Sequence, residues 1–322
     1  MNVYAQILVD EARRRGIRVD ILDDDLGLFR LTHGGVSVVC RESLTERTSA
    51  IAFLLCDDKR LTRRTLAQAG FRVPRQRDAR TLEHAQEALR AWGRVVVKPA
   101  RGEQGRGITV DVTDEATLAR AWERARAVCP DVIVEEYVAG RDLRIIVIGH
   151  RFVAAAERRP AAVTGDGRST VGELVARRNE ELAARTGGEC RFPVDDARRV
   201  ARQAGFSWED VLPAGVNLPV TKTANVHTGG TIHDVTDQVS PALRAVAEEA
   251  SRVLNIPVVG FDFIVPDPAG TDYVILEANE RPGLANHEPQ PTAERFIDVL
   301  FPETATAANG EQNPAVSSTG IS

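Results

Sequence analysis

Residues 258–265 read Val-Val-Gly-Phe-Asp-Phe-Ile-Val, and residues 273–279 read Tyr-Val-Ile-Leu-Glu-Ala-Asn, followed by Glu280-Arg281-Pro282-Gly283. Both runs are apolar, β-branched or aromatic, and of strand length. Pro266-Asp267-Pro268-Ala269-Gly270 between them has turn composition. Together they predict a β-hairpin. Successive strand side chains alternate faces, so Glu277 and Asn279 emerge on the same one. Asp262 lies on the neighbouring strand, in a run otherwise apolar enough to be buried. Three oxygen donors therefore converge. A buried carboxylate is costly unless paired or metal-bound. Hard oxygen donors suit Mg²⁺, which takes one or two carboxylates and leaves the rest to water and phosphate. Two acidic residues at solvated strand ends would give the same pattern, and these residues alone do not choose between the readings.

The chain has 322 residues and a net charge of −5, long enough for two or three domains or subdomains around a large core. No apolar run approaches membrane-spanning length and the N-terminus lacks a secretory pattern, so the expected location is the cytoplasm. Cys40, Cys56, Cys129 and Cys190 have no metal-type spacing and read as free thiols. The mild acidity gives no reason to expect nucleic acid as a partner. One compositional fact is sharper. Of 41 basic residues only Lys59, Lys98 and Lys222 are lysines. Lysine is a compact point charge and arginine a broad planar fork. A lysine that persists among so many arginines marks a place where the fork does not fit.

Periodicity and caps predict a helix over 4–15, a strand over 18–22, a hairpin over 28–40 turning at His33-Gly34-Gly35, and a helix over 44–55. A helix opens at Asp57-Asp58-Lys59 and ends at Gly70, and another covers 81–92. Strands are expected over 95–99, 108–112 and 132–138, with a helix over 115–127. A hairpin over 144–156, a helix over 171–185, a strand over 220–226 and a helix over 241–254 follow. Residues 186–218 carry no clear pattern.

Three glycines, Gly102, Gly105 and Gly107, lie between two expected strands. That position excludes the P-loop and the dinucleotide fingerprint, which need a following helix. A glycine-rich hairpin can instead fold over phosphates and donate backbone N–H groups. A merely tight hairpin reads the same way. Lys98, on the strand entering the loop, tips the balance toward Mg-nucleotide binding.

Val-Val-Val-Lys-Pro (95–99), the glycine flap, Val-Ile-Val-Glu-Glu-Tyr-Val (132–138) and Leu-Glu-Ala-Asn (276–279) resemble the ATP-grasp carboxylate–amine ligases, over roughly residues 57–302. Gly-Arg-Gly-Ile-Thr-Val (105–110), Gly-Arg-Asp-Leu-Arg (140–144), Ala-Ala-Glu-Arg-Arg-Pro (155–160), Val-Thr-Gly-Asp-Gly (163–167) and Thr-Ala-Asn-Val-His-Thr-Gly-Gly (223–230) are similar to the ATP-grasp part of cyanophycin synthetases. The strings 56–64 and 277–296 resemble N-acetylglutaminylglutamine synthetases, which join two glutamine units. The resemblance implies an α/β (α+β) ATP-grasp fold in which two α/β subdomains clasp ATP, preceded by a small α/β N-terminal unit. The implied divisions are 1–56, a small subdomain with the flap over 57–138, a large subdomain with the Mg site over 139–302, and a disordered tail over 303–322.

The implied cofactors are ATP and Mg²⁺, with two ions expected. The implied reaction joins an amino-acid or N-acyl amino-acid carboxylate to an amino-acid amine through an acyl phosphate, releasing ADP and phosphate. The alternatives are another ATP-grasp amide ligase with different substrates, an ATP-binding partner subunit without ligase chemistry, and a simple kinase on the same fold. By resemblance, Lys59 and Lys98 meet the α and β phosphates and Lys222 the β/γ side. Glu135 and the Val138 backbone bind adenine, Asp142 the ribose, and Asp262, Glu277 and Asn279 the metal. Arg144 and Arg281 are the candidates for the acyl phosphate or the substrate carboxylate. Thr228, Gly229, Gly230 and His287 are candidates for contacting substrate.

The expected partners are small amino-acid or peptide substrates, a second copy in a homodimer, and a separate acetyltransferase or amidotransferase of the same pathway. No membrane is expected. Three departures stand out. There is no Gly-Lys-Ser/Thr for the second ligase domain of cyanophycin synthetases, and residues 1–56 are too short for the acetyltransferase of long glutaminylglutamine synthetases. Gly260 stands where D-alanine–D-alanine ligases carry an arginine two residues before the metal Asp, so the stabilising cation must come from elsewhere.

Overall fold

The computed structural model describes residues 1–102, 105–185, 191–222, 224 and 229–305. The chain opens with α1 (Val3–Arg14), whose Asn2 cap accepts the Ala5 N–H at 3.0 Å. Ala5, Leu8, Val9 and Ala12 form its buried stripe. Strands β1 (Arg18–Asp23), β2 (Leu28–His33), β3 (Val36–Arg41) and β4 (Leu44–Thr45) follow as an antiparallel meander in sequence order. The single helix expected over 44–55 is thus shorter than predicted. Thr45 Oγ1 and Thr45 O take the N–H groups of Arg47 and Thr48, which bends the chain. The helix, α2 (Ala50–Asp57), starts only after Ser49, which caps it. Asp58 then caps α3 (Lys59–Gln68).

The second sheet contains β5 (Gln76–Asp78), β6 (Val95–Pro99), β7 (Thr109–Val112) and β8 (Val132–Glu136), in the order β5-β8-β6-β7, all antiparallel. Helices α4 (Leu82–Trp92) and α5 (Glu115–Arg126) supply Ala85, Leu118 and Trp122 to its core beside Val95, Val97 and Val134.

Next come β9 (Arg141–Ile148) and β10 (Arg151–Arg159), a hairpin. An insertion follows with β11 (Ala162–Thr164), α6 (Val171–Arg185), α7 (Val194–Gln203) and β12 (Asn217–Pro219), packed around a core of its own that includes Val163, Val171, Phe192 and Leu212. The chain returns through β13 (Thr231–Asp234), α8 (Pro241–Val253), β14 (Val258–Val265), β15 (Val274–Asn279) and α9 (Thr292–Leu300). The large sheet is ordered β13-β10-β9-β14-β15. The strand expected over 220–226 is absent at 220–222 and 224. There Val220 N–H donates to Ala161 O and Thr221 Oγ1 accepts from Ala161 N–H, so pairing stops as the chain peels away. Thr223, Asn225 and Val226 of that expectation, and the tail from 306 onward, lie outside the described residues.

The large sheet is apolar on both faces. Leu143, Ile145, Val147, Phe261 and Phe263 point one way, toward α8 and toward Ala52 and Leu66 of α2 and α3. Ile146, Ile148, Ala154 and Val258 point the other way, into a core shared with α1, α9 and the N-terminal sheet. Beyond that second core, along the same face, the side chains turn polar.

Candidate active site

Sheet register gathers the first group of site residues. Gly260 opposes Asn279 and Asp262 opposes Glu277 across β14 and β15; Asp262 also opposes Arg144 across β14 and β9. Directly opposed residues point to the same side. Arg144, Asp262, Glu277 and Asn279 therefore share the face that carries Ile146. Asp142 lies two residues before Arg144 on that face, and Arg158 opposes it on β10.

Asp262 is only 3% exposed. Arg144 grips it from Nε and from Nη2, the latter at 3.0 Å, while Arg158 Nη2 approaches Oδ2 at 2.9 Å. Burial would raise this carboxyl, but Arg144 and Arg158 hold it well below the ordinary range. Arg158 also donates to Asp142 Oδ1 at 2.8 Å. A Cβ on Gly260 would sit 3.2 Å from Arg144 Cδ. Arg144, reaching across from β9, thus fills the space over Gly260.

Three features test whether an ion fits. The donors are two carboxylates and an amide, all oxygen ligands of the type Mg²⁺ takes. Asp262 keeps lone pairs beyond those facing its arginines. Glu277 is 26% exposed and has Lys59 Nζ 3.7 Å from Oε2. Asn279 donates its amide nitrogen to Gly260 O at 3.2 Å, leaving its oxygen end for a ligand. No cluster of three His, Cys, Asp or Glu suited to a metal occurs among the described residues. The set at hand is a two-carboxylate site completed by an amide, and it fits.

The three lysines sit on different elements. Lys59, at the start of α3, donates from Nζ to Gly102 O at 3.0 Å, and its backbone N–H goes to Ala100 O. Lys98 on β6 pairs with Glu135 on β8 at 2.6 Å; both are nearly buried, and Gln76 donates to the other Glu135 oxygen at 2.7 Å. Lys222 reaches Asp111 on β7 at 3.2 Å, opposite Arg94 at 2.7 Å. Burial would raise the Asp111 carboxyl; Arg94 and Lys222 together lower it. Asp111 also holds a positive φ of 60°. Between Lys98 and Asp111, Gly105 and Gly107 have φ of 73° and 74°. A Cβ on Gly107 would come within 3.0 Å of Val128 and 3.3 Å of Arg124 O, so both dihedral and space call for glycine.

Other expected residues lie apart or play a second part. Arg281 donates to Glu42 of the N-terminal unit at 3.0 Å. Half-buried Val138 follows β8, next to Tyr137, whose ring lies under Arg94 at 4.3 Å. Gly229 turns with φ of 80° against Phe192 and Leu182, where any Cβ would overlap the Phe192 ring; Gly230 follows it, half-buried. Thr228 and His227 lie outside the described residues. His287 is 5% exposed and its Nδ1 has no partner. Burial first, then the Arg144 charge, pushes its ring down to about 3, so it is neutral at ordinary pH. Sequence reasoning missed Arg158, Asp111 and Gln76. Arg158 carried no signal among so many arginines. Asp111 lies on a strand that was expected, but nothing in its neighbours told of the lysine that meets it.

A family model, the ATP-grasp domain, matches residues 56–205. The chain carries an ATP-grasp domain. Around it, the chain is 34% identical over 313 residues to a cyanophycin synthetase of Nostoc sp., across 92% of this chain and 35% of that protein. It is 29% identical over 325 residues to a glutathione biosynthesis bifunctional protein of Mannheimia succiniciproducens, across 94% of this chain and 43% of that one. The chain therefore spans less than half the length of these relatives. Its ATP-grasp architecture also matches the crystal structure of a bifunctional glutathione synthetase from Pasteurella multocida, with a TM-score of 0.63 and 26% identity over 94% of this chain and 44% of that one. A D-alanine–D-alanine ligase from Bacillus anthracis shares the fold alone, with a TM-score of 0.51 and 12% identity over 80% of this chain and 70% of that one. Among the described residues, no helix is long and apolar enough to cross a membrane.

Proposed function

We propose that the chain is an ATP-dependent ligase that joins an amino-acid or N-acyl amino-acid carboxylate to an amino-acid amine. An N-acetylglutaminylglutamine synthetase-like dipeptide formation is the specific reading. The observation that carries the proposal is the position of Lys59. Its Nζ lies 3.0 Å from Gly102 O of the glycine loop and 3.7 Å from Glu277 Oε2, so one ammonium touches both that loop and a carboxylate of the oxygen cluster, which supports the reading.

A carboxylate does not react with an amine near neutrality, and activation as an acyl phosphate with release of ADP removes that barrier. Asp262, Glu277 and Asn279 would hold Mg²⁺, which would supply positive charge to offset the negative charge that develops in phosphoryl transfer. Lys59, Lys98 and Lys222 would hold the triphosphate from the other side. Glu135 and Val138 would take adenine, and Asp142 the ribose. Closure of the flap over Gly105 and Gly107 excludes the water that would hydrolyse the acyl phosphate. The Arg144 guanidinium, lying over Gly260, is placed to meet the oxyanion formed on amine attack. Arg281, tied to Glu42, is the less direct candidate.

The test is ADP release that needs both a carboxylate and an amine, screened over amino acids and N-acyl amino acids and read out by product mass. ADP without any amine would mean a kinase, and no ADP with any pair would mean a nucleotide-binding partner subunit. Glu277→Gln is expected to cut turnover at saturating Mg²⁺ by about 10³-fold, the scale of losing a charge-stabilising group, with an unchanged circular dichroism spectrum. Near-normal turnover in this variant removes Glu277 from the metal site.

A further inference from the structure

The insertion does not stand free of the flap-bearing sheet. Arg199 on α7 donates to Val110 O of edge strand β7 at 3.3 Å, and Arg124 on α5 meets Asp196 on α7 at 3.4 Å. Along this seam run two cavities of about 730 and about 430 Å³. They share Thr109, Arg124, Asp196 and Arg199 in their walls, so they form one trough. Its inner end is bounded by Gly105, Gly107 and Lys222; its outer end is lined by Arg120 and Arg202. The volumes fall in the range of small-molecule sites.

The charges in this trough are unevenly matched. Asp111 is neutralised by Arg94 and Lys222. Asp114 accepts the Thr117 N–H and caps α5. Asp196 is taken by Arg124, and Asp195 sits in the first turn of α7, where the helix dipole accommodates it. Arg120 and Arg202, by contrast, donate their hydrogen bonds to neutral oxygens, Thr117 Oγ1 at 3.2 Å and Arg198 O at 3.4 Å, although the Arg120 charge also acts on Asp114. Two further groups are orphaned inside the walls. Thr109 is 4% exposed with its Oγ1 unpartnered, and Arg199 Nε is buried without a hydrogen bond, with Asp196 Oδ1 3.9 Å away as its nearest charge. Buried polar atoms of this kind are rare in folded proteins and ask for a partner. Guanidinium forks and a hydroxyl donor match a planar carboxylate better than any other common anion except phosphate.

We propose that the trough is a carboxylate-binding subsite that holds the far end of the substrate over which the flap closes. The continuity of its walls with Gly105, Gly107 and Lys222 makes the occupant part of a substrate rather than a free effector. It is an amino-acid or peptide derivative carrying a free carboxylate away from the reacting bond. Naming the occupant a substrate rests on the ligase reading; the anion-binding chemistry does not.

The experiment is titration calorimetry on the full chain without nucleotide, using the dipeptide Glu-Glu as probe and Gln-Gln amide, which has the same amino terminus but no carboxylate, as control. The wild type should bind Glu-Glu saturably and Gln-Gln amide at least tenfold more weakly. Arg120→Gln/Arg202→Gln, two changes at the outer end of the trough, should weaken Glu-Glu binding at least tenfold. Equal binding by both proteins, equal binding of acid and amide, or no saturable binding of Glu-Glu overturns the subsite. In ADP release with the pair found by the substrate screen, the double variant should raise KM for one substrate about tenfold and leave KM for ATP unchanged. Unchanged KM for both substrates overturns the assignment to substrate. A chain that never releases ADP defeats the ligase reading instead, and the calorimetric result stands apart from it.

Discussion

In the small sheet, buried Lys98 meets one carboxylate, Glu135, whose other oxygen is satisfied by the neutral amide of Gln76. In the large sheet, buried Asp262 meets two guanidiniums, one of them shared with Asp142. The first arrangement is a closed, neutral pair, so phosphate arriving at Lys98 has to compete with Glu135. The second keeps Asp262 ionised far below neutrality, yet Arg144 and Arg158 take both of its oxygens, so a cation arriving there would have to share them with two guanidiniums. The two clusters thus differ in balance, one cation on one carboxylate in the small sheet and two cations on one carboxylate in the large one.

Asp262→Asn should break this contrast most severely. It removes the buried anion that two half-buried guanidiniums share, and breaking buried pairs costs about 3–5 kcal/mol. Urea denaturation should show that loss, and a shift under about 1 kcal/mol, well below that range, would mean the arginines do not depend on Asp262. Next comes Lys98→Arg. The fork is too broad for a site 5% exposed, and kcat/KM for ATP is expected to fall about 10²-fold, the cost of misplacing a positioning group. Unchanged ATP kinetics would refute the point-charge argument.

Asp58 gives a two-arginine carboxylate without a ligand role. Arg60 lies 2.7 Å and Arg101 3.4 Å away, and the hydrogen bond from Arg60 is the main cause that brings the carboxyl down to about 2. The folded value lies below the unfolded one, so this contribution is full above about pH 4 and is lost as pH falls toward 2. It amounts to roughly 2 kcal/mol. Denaturation midpoints of wild type and Asp58→Asn between pH 5 and pH 2 should converge in this window; parallel curves would exclude the linkage. The smallest effect is expected at Asp111. Asparagine tolerates its positive φ, and Asp111→Asn frees Lys222 from a competing carboxylate. ATP should bind about threefold more tightly, a change of about 0.7 kcal/mol, by equilibrium binding. Weaker binding would show that Asp111 positions Lys222 rather than restraining it.

The metal-side geometry was readable in the sequence because two β-branched apolar runs joined by a Pro-Asp-Pro turn allow few pairings, and alternation fixes the faces. The flap was readable from glycines placed between strands. The insertion was readable only in part: α6 falls at Val171–Arg185, where a helix was expected, but residues 186–218 carried no clear pattern. Helix α7 reads Val-Asp-Asp-Ala-Arg-Arg-Val-Ala-Arg-Gln, and its buried positions are Ala197, Val200 and Ala201. The helical spacing is there, but two of the three residues are alanines too small to stand out against the charges. Strands β5 and β13, Gln-Arg-Asp and Thr-Ile-His-Asp, are edge strands set by their neighbours rather than by their own composition. Arg158 was hidden by abundance, as one more arginine in a chain that has replaced nearly every lysine.

The N-terminal unit contributes no residue to the oxygen cluster, its Glu42 meeting Arg281 instead, yet α1 and its meander lie on the apolar half of the same sheet face. Ile146, Ile148, Ala154 and Val258 lie in a core to which that unit and α9 both contribute. The polar half of the face and the covered half are successive stretches of the same strands. Trimming the protein to the span its motifs outline would leave α9 in place but strip the rest of the cover, so the strands that carry Asp262 and Arg144 would lose packing before the oxygen cluster lost any residue of its own.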